Sequence, residues 1–386
     1  EDGIRDRDVT GVQTCALPIW LGATILSNTI PAADRSNPNI APVIKPLLDL
    51  YPLPNVGNNQ YTFPFTTKTD EHYGQARVDH NFSTNDTFFV RYTVDQTDVL
   101  FNSAFPQFPS VYSSRSQYGT ISENHVFNNS LLNTARFSYS RPKLFADAPT
   151  EVIGPQYSFV TGRPIGVLNI GGVDALGPLG TAPNAKTENI FTYSDDLFYT
   201  VGRHALKFGT LINGWQIFSL NGTNTKGQAT FPSIQAFLTG TPSNIQAVTP
   251  GSVLDRYYGY KTYGFYLQDD LRVRSNLTLN LGLRYEFITT LTELHGHGAA
   301  LRDAVRDKDT TLGKPFENPS LKNFSPRFGF AWDVNGDGKT AVRGGYGLLY
   351  DISNQAGGLS AGVGATPPFS NFTSLANPRS EEHTSE

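Results

Sequence analysis

Along much of the chain, apolar and polar side chains take turns. The cleanest run is Leu277 to Phe287, LTLNLGLRYEF. Leu277, Leu279, Leu281, Leu283, Tyr285 and Phe287 fall on one parity, and Thr278, Asn280, Gly282, Arg284 and Glu286 on the other. A period of two predicts a strand with one apolar face, and the i, i+3, i+4 spacing of a helix is missing. In the preceding segment, Tyr263, Phe265, Leu267, Leu271 and Val273 share a face opposite Gly264, Tyr266, Gln268, Asp270 and Arg272. Only Arg274, Ser275 and Asn276 separate the two runs, which predicts a tight hairpin.

The same unit recurs. Segments 72–82 and 87–95 flank Ser83-Thr84-Asn85-Asp86, segments 117–127 and 131–140 flank Asn128-Asn129-Ser130, and segments 189–200 and 205–212 flank Gly202-Arg203-His204. Segments 324–333 and 340–350 flank a turn around Asn335-Gly336-Asp337-Gly338. The expectation is about ten strands in five hairpins, each strand near the length that crosses a bilayer at a tilt. Connections over 95–116, 141–188, 213–259 and 288–323 are rich in Gly, Pro, Asn and Ser and are expected to be long loops. Short turns at one end and long loops at the other match an all-β, antiparallel transmembrane barrel, present here in part, with its long loops extracellular.

The polar parity supports this. Arg77, Asp79, Arg91, Arg136, Arg284, Glu286, Arg327 and Arg343 all lie opposite the apolar side chains. A water-filled lumen solvates such charges, whereas a lipid-facing Arg at the bilayer midplane costs about 2–4 kcal/mol. The alternation is expected to keep charge off the lipid face throughout. Phe82, Tyr92, Tyr139 and Tyr285 suit an interfacial aromatic girdle. Periodicity alone also admits a soluble, secreted β-sandwich binding module of the carbohydrate-binding type, with the apolar parity as its core.

Composition narrows the classes. Charged residues are only 17%, against 26 Phe, 18 Tyr, 36 Gly and 25 Pro. That mixture is wrong for a helix bundle and too aromatic for plain disorder. The formal charge of −4 offers no basic footprint for nucleic acid. No apolar run is long enough for a transmembrane helix. Met is absent and the chain opens on Glu1, so it reads as a fragment. Glu1 to Ile19 and Arg379 to Glu386 look like translated sequencing-adapter read-through rather than native protein. The lone cysteine, Cys15, lies in the first of these strings, which leaves the rest without disulfide, thiolate or Cys–zinc chemistry. The expected organisation is then a first outer-loop segment over 20–71, a five-hairpin partial barrel over 72–351, and a further outer-loop segment over 352–378.

Several stretches together resemble the TonB-dependent outer-membrane transporters of the Oar-like kind. They are Ile30-Pro31-Ala32-Ala33 with LLDLYPLPN (47–55), RVDHNFSTNDTFFVRY (77–92), GRHALKFG (202–209), YGFYLQDDLRV with LTLNLGLRYE (263–286), and FSPRFGFAWDVNGDGKTAVRGGYGLLYD (324–351). The resemblance implies a large plugged barrel of the 22-stranded class in the outer membrane of a Gram-negative-type bacterium. It implies a receptor that takes up an extracellular ligand with energy from an inner-membrane TonB complex. No signal peptide, TonB box or plug is recognisable, so the chain is expected to begin after the plug, in the first outer loop. The ligand itself is not named by the resemblance, since siderophores, glycans, cobalamin and peptides share the scaffold.

Catalytic, cofactor and metal sites are not expected. Asp333 to Gly338 imitates the start of an EF-hand loop, but the twelfth position is Gly344 where a bidentate Glu is needed. Gly338-Lys339-Thr340 imitates a P-loop end, but Asp333 replaces its first Gly and a strand follows. His295-Gly296-His297 beside Glu293 offers loose metal-ligand spacing in a loop. Asp195-Asp196 and Asp269-Asp270 place their carboxylates on opposite strand faces, a poor acid/base pair. No nucleophile elbow and no propeller-blade repeat is present, so the protein reads as non-enzymatic. Trp215, Phe218, Phe237, Tyr257 and Tyr258 are the loop aromatics best suited to meet a ligand.

Overall fold

The computed structural model describes residues 24–317, 320–352 and 366–378; both adapter-like ends lie outside them. Ten strands run in simple meander order through one antiparallel sheet, to which the short strand Thr292–Glu293 adds an eleventh. They are β1 (Lys68–Asn81), β2 (Asp86–Phe101), β3 (Ser110–Asn128), β4 (Leu131–Asp147), β5 (Asn184–Val201), β6 (His204–Asn221), β7 (Asp255–Arg274), β8 (Leu277–Ile288), β9 (Phe324–Asp333) and β10 (Ala341–Gly347). Each strand pairs with its chain neighbours, and among the described residues β1 and β10 are the edges, so the described sheet is an unclosed part of a barrel. No helix among the described residues is long and apolar enough to cross a membrane.

The five hairpins close through short turns. Gly202, at φ +58, supplies the left-handed residue of the two-residue turn between β5 and β6. In the first turn the Ser83 hydroxyl accepts from the amides of Asn85 and Asp86 at 3.0 and 3.1 Å.

Register then decides what each face carries. Val78, Val90, Ile121, Phe137, Tyr193, Ile212, Tyr263 and Phe287 sit opposite one another in turn from β1 to β8. One residue along, Arg77, Arg91, Thr120, Ser138, Thr192, Asn213 and Thr262 form a polar row on the other face. The apolar row is not covered: Val78 is 68% and Tyr193 54% exposed. A sandwich would bury that row against a second sheet, so the soluble alternative fails. The apolar face belongs to lipid and the polar face to the lumen.

Two expectations need correction. The strands run well past the alternating stretches: β2 reaches Phe101, β4 Asp147 and β6 Asn221, while β7 starts at Asp255. The first long connection therefore shrinks to 102–109. Charge is also not excluded from the lipid face, because Asp86, Glu123, Asp195 and Asp269 share the parity of the apolar row. These acids lie toward the short-turn end, and three have polar partners: Asp86 contacts His125, Asn133 donates to Asp195 at 2.9 Å, and His204 meets Asp269 at 2.7 Å. The cost of a lipid-side charge falls steeply toward the interface and is smaller for Asp and Glu.

The remaining long connections fold instead of trailing. Strands Val167–Ile170, Gln228–Phe231, Asn244–Val248 and Phe372–Ala376 make a second sheet, and Thr24–Asn28 pairs with Gln60–Pro64. Helices Lys45–Asp49 and Ile234–Leu238 pack beside them, the second capped by the Ser233 hydroxyl accepting from the Ala236 amide at 3.2 Å. Ile30, Leu48, Tyr51, Phe105, Phe108, Leu168, Leu176, Phe231 and Phe237 bury one common core. Tyr51 meets Phe105 edge-on at 5.4 Å and Phe237 at 6.2 Å. Arg35 ties this lobe together by donating to the carbonyls of Ile30, Leu48, Tyr51 and Pro52 at 2.8 to 3.4 Å. Burial lowers its pKa, and Asp49 partly opposes that.

Two outcomes follow from these faces and this clamp. Ile121→Arg in the full-length protein is expected to cost about 2–4 kcal/mol in bilayer unfolding titrations, and Thr120→Arg, on the lumen face, far less. Equal costs would contradict the assigned faces. Arg35→Ala is expected to destabilise the lobe by about 3 kcal/mol through lost charge-assisted bonds, read as faster amide exchange over 30–52 with the wall strands unchanged.

Candidate functional site

The lumen face is a lattice of short polar bonds across strands. Thr192 donates to the Asn213 side-chain oxygen at 2.7 Å, and the Asn213 amide donates to Thr262 at 2.9 Å, linking β5, β6 and β7. Arg77 grips Asp79 at 2.6 Å, Arg284 meets Glu286 at 2.5 Å, and Asn280 donates to Asp270 at 2.5 Å. The Tyr266 hydroxyl donates to Asp196. Each partner lies on the lumen parity, so these charges are paired or hydrogen-bonded along the wall instead of meeting lipid.

Toward the long-connection end this face changes character. Ile217, Tyr258, Tyr260, Ile288 and Leu291 are buried together, with Trp215 and Phe316 packed against them. The Trp215 and Tyr260 rings stack in parallel, 5.4 Å apart at 6°. Arg256 extends the Tyr258–Tyr260 column by one more lumen-facing position and is 0% exposed. Its Nη1 donates to the carbonyls of Val253 and Asp255, both at 2.8 Å, and its guanidinium lies 5.6 Å from the Phe369 ring centre. Among the described residues, Arg256 Nε and Nη2, the hydroxyls of Tyr258 and Tyr260, and Trp215 Nε1 have no hydrogen-bond partner. An unmet buried donor costs about 1–3 kcal/mol, so these five, four on β7 and one on the neighbouring β6, make this patch the place where an acceptor would stabilise most. The column is the strongest candidate ligand-binding position.

The expected loop aromatics divide accordingly. Trp215, Phe218, Tyr257 and Tyr258 stand on the wall strands β6 and β7, not in a loop. Trp215 and Tyr258 face the lumen, whereas Phe218 and Tyr257 face outward and pack on each other at 5.0 Å. Phe237 is enclosed in the lobe core.

Glu293 does not gather the two histidines around a metal position. Its carboxylate accepts from the amides of Tyr257, His295 and His297 at 2.9, 3.0 and 2.5 Å. The His295 ring lies on Tyr257 at 4.1 Å and the His297 ring on Phe369 at 5.1 Å. Asp333 behaves as a turn acid, accepting from the amides of Gly336 and Gly338 at 3.1 and 2.8 Å. Asp195 and Asp196 face outward and inward respectively, as do Asp269 and Asp270.

One cluster lay beyond sequence reasoning. Asp86, Glu123 and His125 bring ligand atoms within 4.8 Å of one another on the outward face. Glu123 and His125 share a face by their i, i+2 spacing, but only the β2–β3 register, with Asp86 opposite His125, adds the third residue.

The family model of the outer membrane beta barrel domain matches residues 7–385. The chain belongs to that family. It is an outer-membrane barrel protein, and its lumen and lipid faces are those of the wall described above. A comparison with curated proteins finds no match. Solved structures with a similar fold include the outer membrane transporter YddB from Escherichia coli, at TM-score 0.48 and 14% identity over 76% of this chain and 33% of that one. The ferric-catecholate import receptor Fiu from E. coli K12 gives 0.46 and 12% over 73% and 43%, and P. aeruginosa FpvA gives 0.41 and 15% over 72% and 35%. The chain thus spans between a third and somewhat over two-fifths of the length of these structures.

Glu293→Ala removes the acceptor of three amides. It is expected to speed hydrogen exchange at Tyr257, His295 and His297 by at least about tenfold, while the β3–β4 amides keep their protection.

Proposed function

We propose that this chain is a portion of the barrel wall, with its outer lobe, of a TonB-dependent outer-membrane receptor. The receptor binds an extracellular ligand from above and passes it through the lumen, drawing energy from an inner-membrane TonB complex. The reading is non-enzymatic: the wall holds, orients and conducts. The observation that carries it is the lumen-facing column of Arg256, Tyr258, Tyr260 and Trp215, whose unmet donors lie at the long-connection end. Such donors on flat rings suit a polar or anionic ligand with stacking surface. The folded lobe supports the same reading, because ligand-selecting loops need a rigid base. The Oar-like motifs over 263–286 and 324–351 supply the family-level expectation of energised uptake.

Depletion of a complex medium tests this. Cells making the full-length protein are expected to remove at least one compound that control cells leave, as read by mass spectrometry. The removal should stop when a protonophore collapses the proton gradient. Trp215→Ala with Arg256→Gln should slow it by about tenfold or more at equal outer-membrane abundance. Depletion indifferent to the protonophore would indicate a passive pore and overturn the coupled reading.

A further inference from the structure

At the long-connection end, the outward face of the wall is grooved. Two adjoining grooves of about 790 and 490 Å³ share Gln216 and Leu294. The outward-facing rings in their lining are Phe191, Tyr193 and Tyr263 in the larger and Phe218 and Tyr257 in the smaller, and Trp215, Tyr260 and Tyr258 of the lumen column also border them. Cations stand at their margins, Lys261 and Lys314 on the first and Arg141 on the second.

The adjoining strands extend this basic margin. Arg115 and Lys143 sit directly opposite each other across β3 and β4, and Arg141 lies two residues from Lys143 on the same face. All three have the parity of Ile121 and Phe137, hence face outward. None of these five cations forms an ion pair with a described carboxylate. Arg141 donates to the Asn189 side-chain oxygen at 2.7 Å, which orients it without neutralising it. Of the outward acids at this end, Asp70 and Asp98, on β1 and β2, are held by Lys68 and Ser113, Asp147 on β4 accepts from the Ala148 amide at 2.8 Å, and Asp255 opens β7. Like charges placed directly opposite destabilise a sheet unless an anion lies between them.

In an outer-membrane barrel, an outward surface at this end meets the outer leaflet. We propose that the groove holds a phosphate-bearing lipid of that leaflet. Its acyl portion lies on the aromatic floor, and its phosphates are met by Arg115, Arg141, Lys143 and Lys261. Aromatic rings suit the boundary between chain and headgroup, and basic groups at a membrane surface bind anionic headgroups. This lipid would anchor the wall beside the lumen-facing column, on the opposite face of β6 and β7.

The test uses the full-length protein in mild detergent, with lipid adducts counted by native mass spectrometry. The probes are phosphorylated lipid A, the same lipid after phosphatase treatment, and inorganic phosphate alone. Wild type is expected to hold the phosphorylated lipid at least about tenfold more tightly than the dephosphorylated one. Lys143→Gln with Lys261→Gln, both exposed positions, should abolish that preference. Lys339→Gln, in the turn at the other end, should leave it intact. Equal retention of the two lipids, a preference unchanged in the double variant, or inorganic phosphate binding as tightly as the lipid would each overturn the proposal.

Discussion

A polypeptide crossing hydrocarbon must satisfy every backbone amide and carbonyl from within itself. Here that is done by strand-to-strand pairing from β1 to β10, and everything else depends on the register of those pairs. Register fixes parity, and parity fixes what each side chain meets. Ile121 and Thr120 are neighbours in the chain, yet one belongs to lipid and the other to water. The edges of β1 and β10 obey the same constraint: among the described residues each leaves one row of backbone groups without a strand partner.

The wall itself was readable from the sequence wherever one face is apolar and the other polar. The hairpin of β7 and β8 is the best case, because Leu277 to Phe287 alternates without a break. Reading failed where both faces are apolar. At the outer ends of β6 and β7, Ile217, Tyr258 and Tyr260 cluster with Leu291, while Phe218 and Tyr257 line the outward groove. With no contrast between faces, the period of two vanishes, and the abundance of Gly and Asn suggested a loop. The outer lobe was invisible for a different reason. Its core draws Ile30, Phe105, Leu168 and Phe237 from four separate stretches, so no local pattern announces it.

The candidate site was legible only in part. Trp215 and Tyr258 stood out as aromatic residues, but Arg256 and Tyr260 gained meaning from the even-numbered column of β7 and from donors that no neighbour satisfies. The outward acids show the converse. Asp86, Asp195 and Asp269 break the simple rule of charge inside and grease outside, and partners supplied across strands make them tolerable near the interface. Such partners follow from register, which a single strand's sequence does not contain.

The central claim is that consecutive residues of these strands alternate between hydrocarbon and water. Site-directed spin labelling reads this directly. Single cysteines are placed at Val90, Arg91, Ile121, Thr120, Ile212 and Asn213 of the full-length protein, freed of other cysteines and inserted in bilayers. Collision with dissolved oxygen should dominate at Val90, Ile121 and Ile212, and collision with a water-soluble nickel chelate at Arg91, Thr120 and Asn213. Profiles that fail to alternate, or that alternate with the opposite phase, would contradict the account.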